Sequence, residues 1–151
     1  MTAIRELIRV TRPGGVVALR EMDILSMTAF PASEELDRFK EILIKQIDSA
    51  EVCKGGRAGR TLKSWCRAAG AVDARTRYTA GTWCWSSSED REAWGGSWAL
   101  RVTESEFATK AVKMGLASKE ELGEIRKAWE ALVQDEDAWF GVMHGEALVT
   151  I

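Results

Sequence analysis

The chain has 151 residues, 21 Lys and Arg against 23 Asp and Glu, and a pI near 5.6. That length fits one domain, and the slightly acidic balance argues against a broadly basic nucleic-acid-binding surface. No apolar run approaches the ~20 residues that span a bilayer.

The first residues, Met1-Thr2-Ala3-Ile4-Arg5-Glu6, lack the apolar core and cleavage site of a signal peptide. Cys53, Cys66 and Cys84 are odd in number and far apart, and they read as free thiols of a reducing compartment. The expected address is the cytoplasm.

Taken in order, residues 2–10 place Ile4, Leu7 and Ile8 on one helical face. Thr11 to Gly15 is a turn, in which Pro13 fixes φ and Gly14 and Gly15 can adopt positive φ. Val16 to Leu19 is an unbroken apolar run, the pattern of a strand covered on both faces, and it ends at Glu21 and Asp23. Ile24 to Ala32 reads as a mixed loop. Ser33 is a helix N-cap ahead of Glu34 and Glu35, and Leu36, Phe39, Leu43 and Ile47 make an amphipathic stripe to about Ala50.

Cys53 to Lys63 mixes Gly55, Gly56 and Gly59 with Lys54, Arg57, Arg60 and Lys63. The spacing of a phosphate loop is not met, and the stretch reads as a flexible, solvated linker. Leu62, Trp65, Cys66 and Ala69 then step as a helix, with Gly70 at its C-terminal cap. Val72 to Trp85 is rich in Thr, Tyr and Trp. It reads as a strand with Trp83 and Trp85 on one face and Tyr78 and Cys84 on the other.

Ser86 to Asp90 marks the next helix start, and Trp94, Trp98 and Val102 share a face at steps of four. Gly95 and Gly96 inside that helix cost roughly 1 kcal/mol each relative to alanine, which predicts a close backbone approach there. Thr103-x-x-Glu106 reads as a capping box for a helix to about Met114, ended by Gly115. Ser118-x-x-Glu121 is another, followed by the stripe Leu122, Ile125, Trp129 and Leu132. After a turn at Asp135 to Asp137, the segment Trp139 to Ile151 alternates as a strand. Trp139, Met143, Ala147, Val149 and Ile151 lie on one face, and His144 and Glu146 on the other.

Three blocks together carry a family likeness. They are Arg9-Val10-Thr11-Arg12-Pro13-Gly14-Gly15 with its apolar strand and acidic end, Trp94-Gly95-Gly96-Ser97-Trp98-Ala99-Leu100-Arg101-Val102, and Trp139-Phe140 with His144-Gly145-Glu146. This resembles the second half of class I S-adenosylmethionine-dependent methyltransferases, most closely the small-molecule enzymes of the methyltransferase type 11 kind. The resemblance implies an α/β fold with a partial Rossmann-like sheet and five or six helices. Its strands would be equivalent to the fifth, sixth and seventh, the last antiparallel and inserted between the other two.

Residues 1–151 would then be a single partial domain, the truncated C-terminal portion of such an enzyme. No Gly-x-Gly-x-Gly follows a first strand, and no acidic residue closes a second one. S-adenosylmethionine is thus the implied cofactor of the intact family, with none expected to bind this chain alone.

In open α/β sheets ligands collect outside the carboxyl ends of the strands, so Glu21 and Asp23 are candidates for the substrate side. The competing reading of the pair is a solvated strand end or a helix cap. The resemblance puts Trp83, Trp94 and Trp98 where such enzymes shape a pocket or lid, with core packing as the alternative. His144 is the one histidine, either a satisfied strand residue or a participant in substrate deprotonation. No Cys-x-x-Cys or His-x-x-x-His spacing suggests a metal.

The implied partner is a small-molecule substrate, with neither nucleic acid nor membrane. The alternative is a non-catalytic interaction module whose exposed first strand pairs with another chain: a separate N-terminal half, a second copy, or a related methyltransferase.

Overall fold

The computed structural model describes residues 2–49 and 56–151, so the readings made at Ala50, Cys53, Lys54 and Gly55 lie outside the described residues. The described residues form a mixed α/β structure whose centre is its last strand. In chain order come α1 (Thr2–Val10), β1 (Val16–Met22), a 3-10 turn (Ile24–Ser26), β2 (Thr28–Phe30), α2 (Glu34–Ser49), α3 (Ala58–Ala68) and β3 (Thr76–Trp85). Then follow α4 (Ser88–Arg91), a π-helical turn (Glu92–Gly96), α5 (Ser97–Glu104), α6 (Glu106–Lys113), α7 (Lys119–Gln134) and β4 (Trp139–Thr150).

β4 pairs antiparallel with β1 and β2 along one edge and with β3 along the other. β1 and β3 therefore run in the same direction, with β4 reversed between them. This is the strand order the sequence implied for its last strand. The sheet has four strands rather than three, because Thr28–Phe30, read as loop, pairs with Trp139–Gly141. Three residues are too short a run for alternation to register.

β1 departs from its reading as a strand covered on both faces. Val17 is buried and Leu19 half-buried, while Val16, Ala18 and Arg20 are exposed. One face packs on α1 and α3 through Ile4, Leu62, Cys66, Ala147 and Val149, and the other is bare at this end of the sheet. Among the described residues β1 pairs with β4 alone, so its second edge is free.

The opposite face carries the larger core at the other end of the sheet. There Trp85, Phe140 and Val142 meet Phe39, Ile42, Val102, Leu122, Ile125 and Trp129 from α2, α5 and α7. Phe39 sits edge-on to both Trp98 and Trp129 at 4.9 and 5.4 Å.

The caps follow the sequence closely. Ser33, Ser87 and Ser118 Oγ accept the backbone N–H groups of Leu36, Asp90 and Glu121 at 3.1 to 3.2 Å. The box read at Thr103 is displaced: Ser105 caps α6 by accepting from Phe107 N–H, which places Glu106 at the first helical residue rather than the third. Gly70 and Gly115 both take positive φ after their helices.

The stretch read as a solvated linker is corrected from Ala58 onward, where α3 begins. Its Gly59 lies directly on the sheet. A Cβ there would fall 2.8 Å from Glu21 O and 3.0 Å from Gly145 N, so the glycine marks helix-on-strand contact rather than a flexible chain. The expected close approach in the Trp94 helix occurs at Gly95, against Val133 and Trp129 of α7, and not at Gly96, which has open space.

Candidate functional site

The antiparallel register builds a polar row across three strands. Arg20 of β1 stands opposite Glu146 of β4, which stands opposite Thr79 of β3; the next row is Met22, His144 and Gly81. Residues two apart on a strand share a face, so His144 and Glu146 sit side by side.

The Glu146 carboxylate is the hub. Oε2 accepts from Thr79 Oγ1 at 2.7 Å, while Oε1 takes Arg20 Nη2 at 2.6 Å and lies 3.1 Å from His144 Nε2. The Thr79 hydrogen bond, and after it those from Arg20 and His144, hold the Glu146 carboxyl below the usual carboxylate range.

The imidazole is buried at 6% exposure. Trp83 lies against it with ring centroids 4.4 Å apart, and the Arg20 guanidinium carbon is 5.8 Å from the Trp83 ring, within cation–π reach. Gly81 makes the room. A Cβ at that position would stand 2.8 Å from His144 Nε2 and 3.1 Å from Cε1. Since an ionised carboxylate only accepts, the Glu146 contact puts the proton on Nε2. Nδ1 is buried and has no hydrogen-bond partner among the described residues.

An open groove of about 350 Å³ borders this cluster, lined by Ala18, Leu19, Arg20, Glu146 and Leu148. Its size falls within the range of small-molecule sites. On the inner side, Trp83 continues into a run of rings. It lies 6.2 Å from Trp85, which lies 4.6 Å from the 36%-exposed Trp94 on the π turn. Short π-helical turns recur at functional sites.

The structure thus aligns three of the sequence candidates, Trp94, Trp83 and His144, and separates the others. Glu21 is exposed on the opposite face, paired in register with Gly145. Asp23 is wholly buried and structural. It receives Arg60 Nε and Nη2 at 2.5 and 2.7 Å and the Arg60 backbone N–H at 3.2 Å, so it caps the first turn of α3. Trp98 packs on Phe39 and Phe107, with the Arg101 guanidinium carbon 4.0 Å from its ring.

Sequence reading missed Arg20, Thr79 and Gly81 as site residues. Each is distant from His144 and Glu146 along the chain and meets them only through strand register, which no local spacing encodes. The parity that paired His144 with Glu146 was the available signal.

Among the described residues no group of three or more His, Cys, Asp or Glu is placed to hold a metal, and no helix is long and apolar enough to cross a membrane.

No protein-family profile matches the sequence. Over 94 residues the chain is 35% identical to a protein of Schizosaccharomyces pombe (strain 972 / ATCC 24843) named Uncharacterized methyltransferase C1B3.06c. The matched segment is 61% of this chain and 32% of that relative, so the chain spans about a third of its length. The likeness supports a methyltransferase-like protein.

Proposed function

We propose that these residues form the C-terminal, substrate-side part of a class I S-adenosylmethionine-dependent methyltransferase acting on a small molecule. The similarity to the named methyltransferase carries the reading. The reversed β4 between two like-directed strands supports its Rossmann-like part, as does the ring-lined cluster near the carboxyl ends of β1 and β3.

S-adenosylmethionine itself does not fit the described residues. Its amino-acid and ribose ends call for backbone N–H groups at a glycine-rich turn and a free carboxylate at a strand end. The buried Asp23 oxygens are held by Arg60, the exposed Glu21 lies on the sheet face away from the ring-lined cluster, and the glycine at the start of α3 is closed against β1 and β4, so no glycine-rich turn stands open beside that carboxylate. No step through the cofactor is drawn from these side chains. What they offer is a binding face: the aromatic run supplies flat apolar contact, and Arg20 with Glu146 supplies orientation.

Calorimetric titration of the purified chain with S-adenosylmethionine tests the reading. No saturable heat is expected from the chain alone. Binding is expected once the chain is fused to the portion of the Schizosaccharomyces pombe relative outside the matched segment. Tight binding to the chain by itself would refute the substrate-side assignment.

A second reading is favoured by the free edge of β1 beside the bare apolar side chains Val16 and Leu148, 56% and 45% exposed. Unprotected strand edges template pairing. In this reading the chain is a non-catalytic module whose β1 edge receives a strand from the remainder of a methyltransferase polypeptide. Sedimentation of the chain mixed with that polypeptide would reveal a complex, and two independent boundaries would count against it.

A further inference from the structure

We propose that β1 is a self-complementary strand through which two copies of this chain join their sheets, antiparallel about a two-fold axis at Leu19. The inference goes beyond both readings above and shares with the second only the free edge of β1. It begins from the direction of the backbone groups. Asp23 N–H donates to Met143 O at 2.8 Å and Gly15 O accepts from Ile151 N–H at 3.0 Å, so the odd-numbered residues of β1 turn their backbone toward β4. Val16, Ala18, Arg20 and Met22 therefore hold their N–H and C=O groups out from the free edge, with no strand beyond them among the described residues.

That phase admits few registers. A two-fold axis at Leu19 sets Val16 against Met22 of the second copy and Ala18 against its Arg20, so every outward residue of each copy falls in a hydrogen-bonded pair. Glu21 falls opposite Val17, and no like charges face each other. An axis at Ala18 would leave Met22 without a pair, and an axis at Arg20 would bring the two guanidinium groups together.

A second copy suits this edge because the strand carries none of the usual guards against pairing. β1 contains no proline or lysine, and its register with β4 runs from Val16 to Met22 without a bulge to turn the edge aside. Arg20, its one cation, is neutralised by Glu146 Oε1 at 2.6 Å. Pairing also extends the bare face on which Val16 and Leu148 stand exposed, and it gives Val16 the Met22 side chain of the second copy as a neighbour. Two four-stranded sheets thereby become one continuous sheet.

Sedimentation velocity of the full chain over a concentration series should show a reversible monomer–dimer equilibrium with no other protein present. Ala18→Pro removes one outward N–H from the edge and none from the β4 ladder. It should weaken the dimer by roughly tenfold or more while the far-UV circular dichroism is retained. Cross-linking reads the register separately. Across the axis the two Leu19 Cα atoms would stand about 4.5 Å apart, within disulfide range, whereas those of Ala18 would be two residues out of register. Under mild oxidation Leu19→Cys should give a covalent dimer. Ala18→Cys should give no more than the unmodified chain, which carries Cys53, Cys66 and Cys84. These cross-links decide the matter even if the proline variant does not fold. A chain that stays monomeric, a dimer indifferent to Ala18→Pro, or cross-linking through Ala18→Cys rather than Leu19→Cys overturns the proposal. So does a monomer that combines only with the remainder of a methyltransferase polypeptide, which would leave the edge to the second reading. None of these measurements involves S-adenosylmethionine, so failure here is separate from failure of the substrate-side reading.

Discussion

Gly59 and Gly123 are both helical glycines, and replacing each with alanine should change stability in opposite directions. In an open helix the exchange is favourable by roughly 1 kcal/mol, because glycine loses more backbone freedom on folding. An alanine methyl at Gly123, mid-α7, would meet nothing within 4 Å, so that gain should appear in full.

At Gly59 the same methyl would meet Glu21 O at 2.8 Å, Gly145 N at 3.0 Å and Asp23 Cβ at 3.1 Å. Two of the three are strand backbone and cannot rotate away. Overpacking of this kind typically costs about 1–3 kcal/mol, and rigid neighbours put this site near the top of the range. Subtracting the helix gain leaves a net loss of about 2 kcal/mol, or roughly 4–8 °C in Tm for a chain of this size. Thermal and urea unfolding followed by circular dichroism should give a lower midpoint for Gly59→Ala and a higher one for Gly123→Ala. Two shifts of the same sign would refute the account of α3 seated on the sheet.

Asp23→Ala should cost about 2 kcal/mol, because it removes charge-assisted bonds and the cap on Arg60 N–H while the half-exposed Arg60 rehydrates. Glu21→Gln should stay within about 0.5 kcal/mol, and equal losses in urea unfolding would contradict the structural role given to Asp23. Of the two described cysteines, exposed Cys84 should alkylate rapidly with iodoacetamide in the native state. Cys66 should not, because burial both hides it and pushes its thiol pKa up; peptide mapping that finds Cys66 modified first would reverse this.

Acid sensitivity follows from two carboxyls held below their ordinary values, Glu146 chiefly by Thr79 and Glu121 chiefly by Arg38. A depressed folded-state pKa gives stability that is present above the unfolded carboxyl value and lost as pH falls through the lowered one. Urea midpoints should therefore drop below about pH 4.5. Arg38→Gln should flatten that drop, and an unchanged acid limb would exclude the Arg38 pair as a cause.

The parts legible in the sequence were those fixed by short-range periodicity and side-chain capping. The faces of β3 and β4 followed from alternation, and Ser33, the run Ser86-Ser87-Ser88 and Ser118 announced their helices, because Ser33, Ser87 and Ser118 each bond a backbone N–H within three residues. The errors share a different physical origin. Gly59 looked like linker because its low helix propensity is outweighed by contact with strands far away in sequence. Val16–Leu19 looked doubly covered because apolar content cannot tell which face a sheet leaves bare, and the structure leaves Val16 and Ala18 open.

The site divides in the same way. His144 and Trp83 were legible as residue types in strands, whereas Arg20, Thr79 and Gly81 became visible only through cross-strand register. Asp23 was legible as an acidic residue at a strand end, but its commitment to Arg60 depends on where α3 docks.

The arrangement of the sheet has a consequence for biosynthesis. Among the described residues β1, β2 and β3 make every ladder through β4, and β4 is the last of the four to leave the ribosome. While its residues remain in the exit tunnel, the earlier strands lack the partner they have among the described residues, so these ladders form only after translation has passed Thr150. Force profiling with an arrest peptide should record helical docking first and a single late pull as β4 emerges.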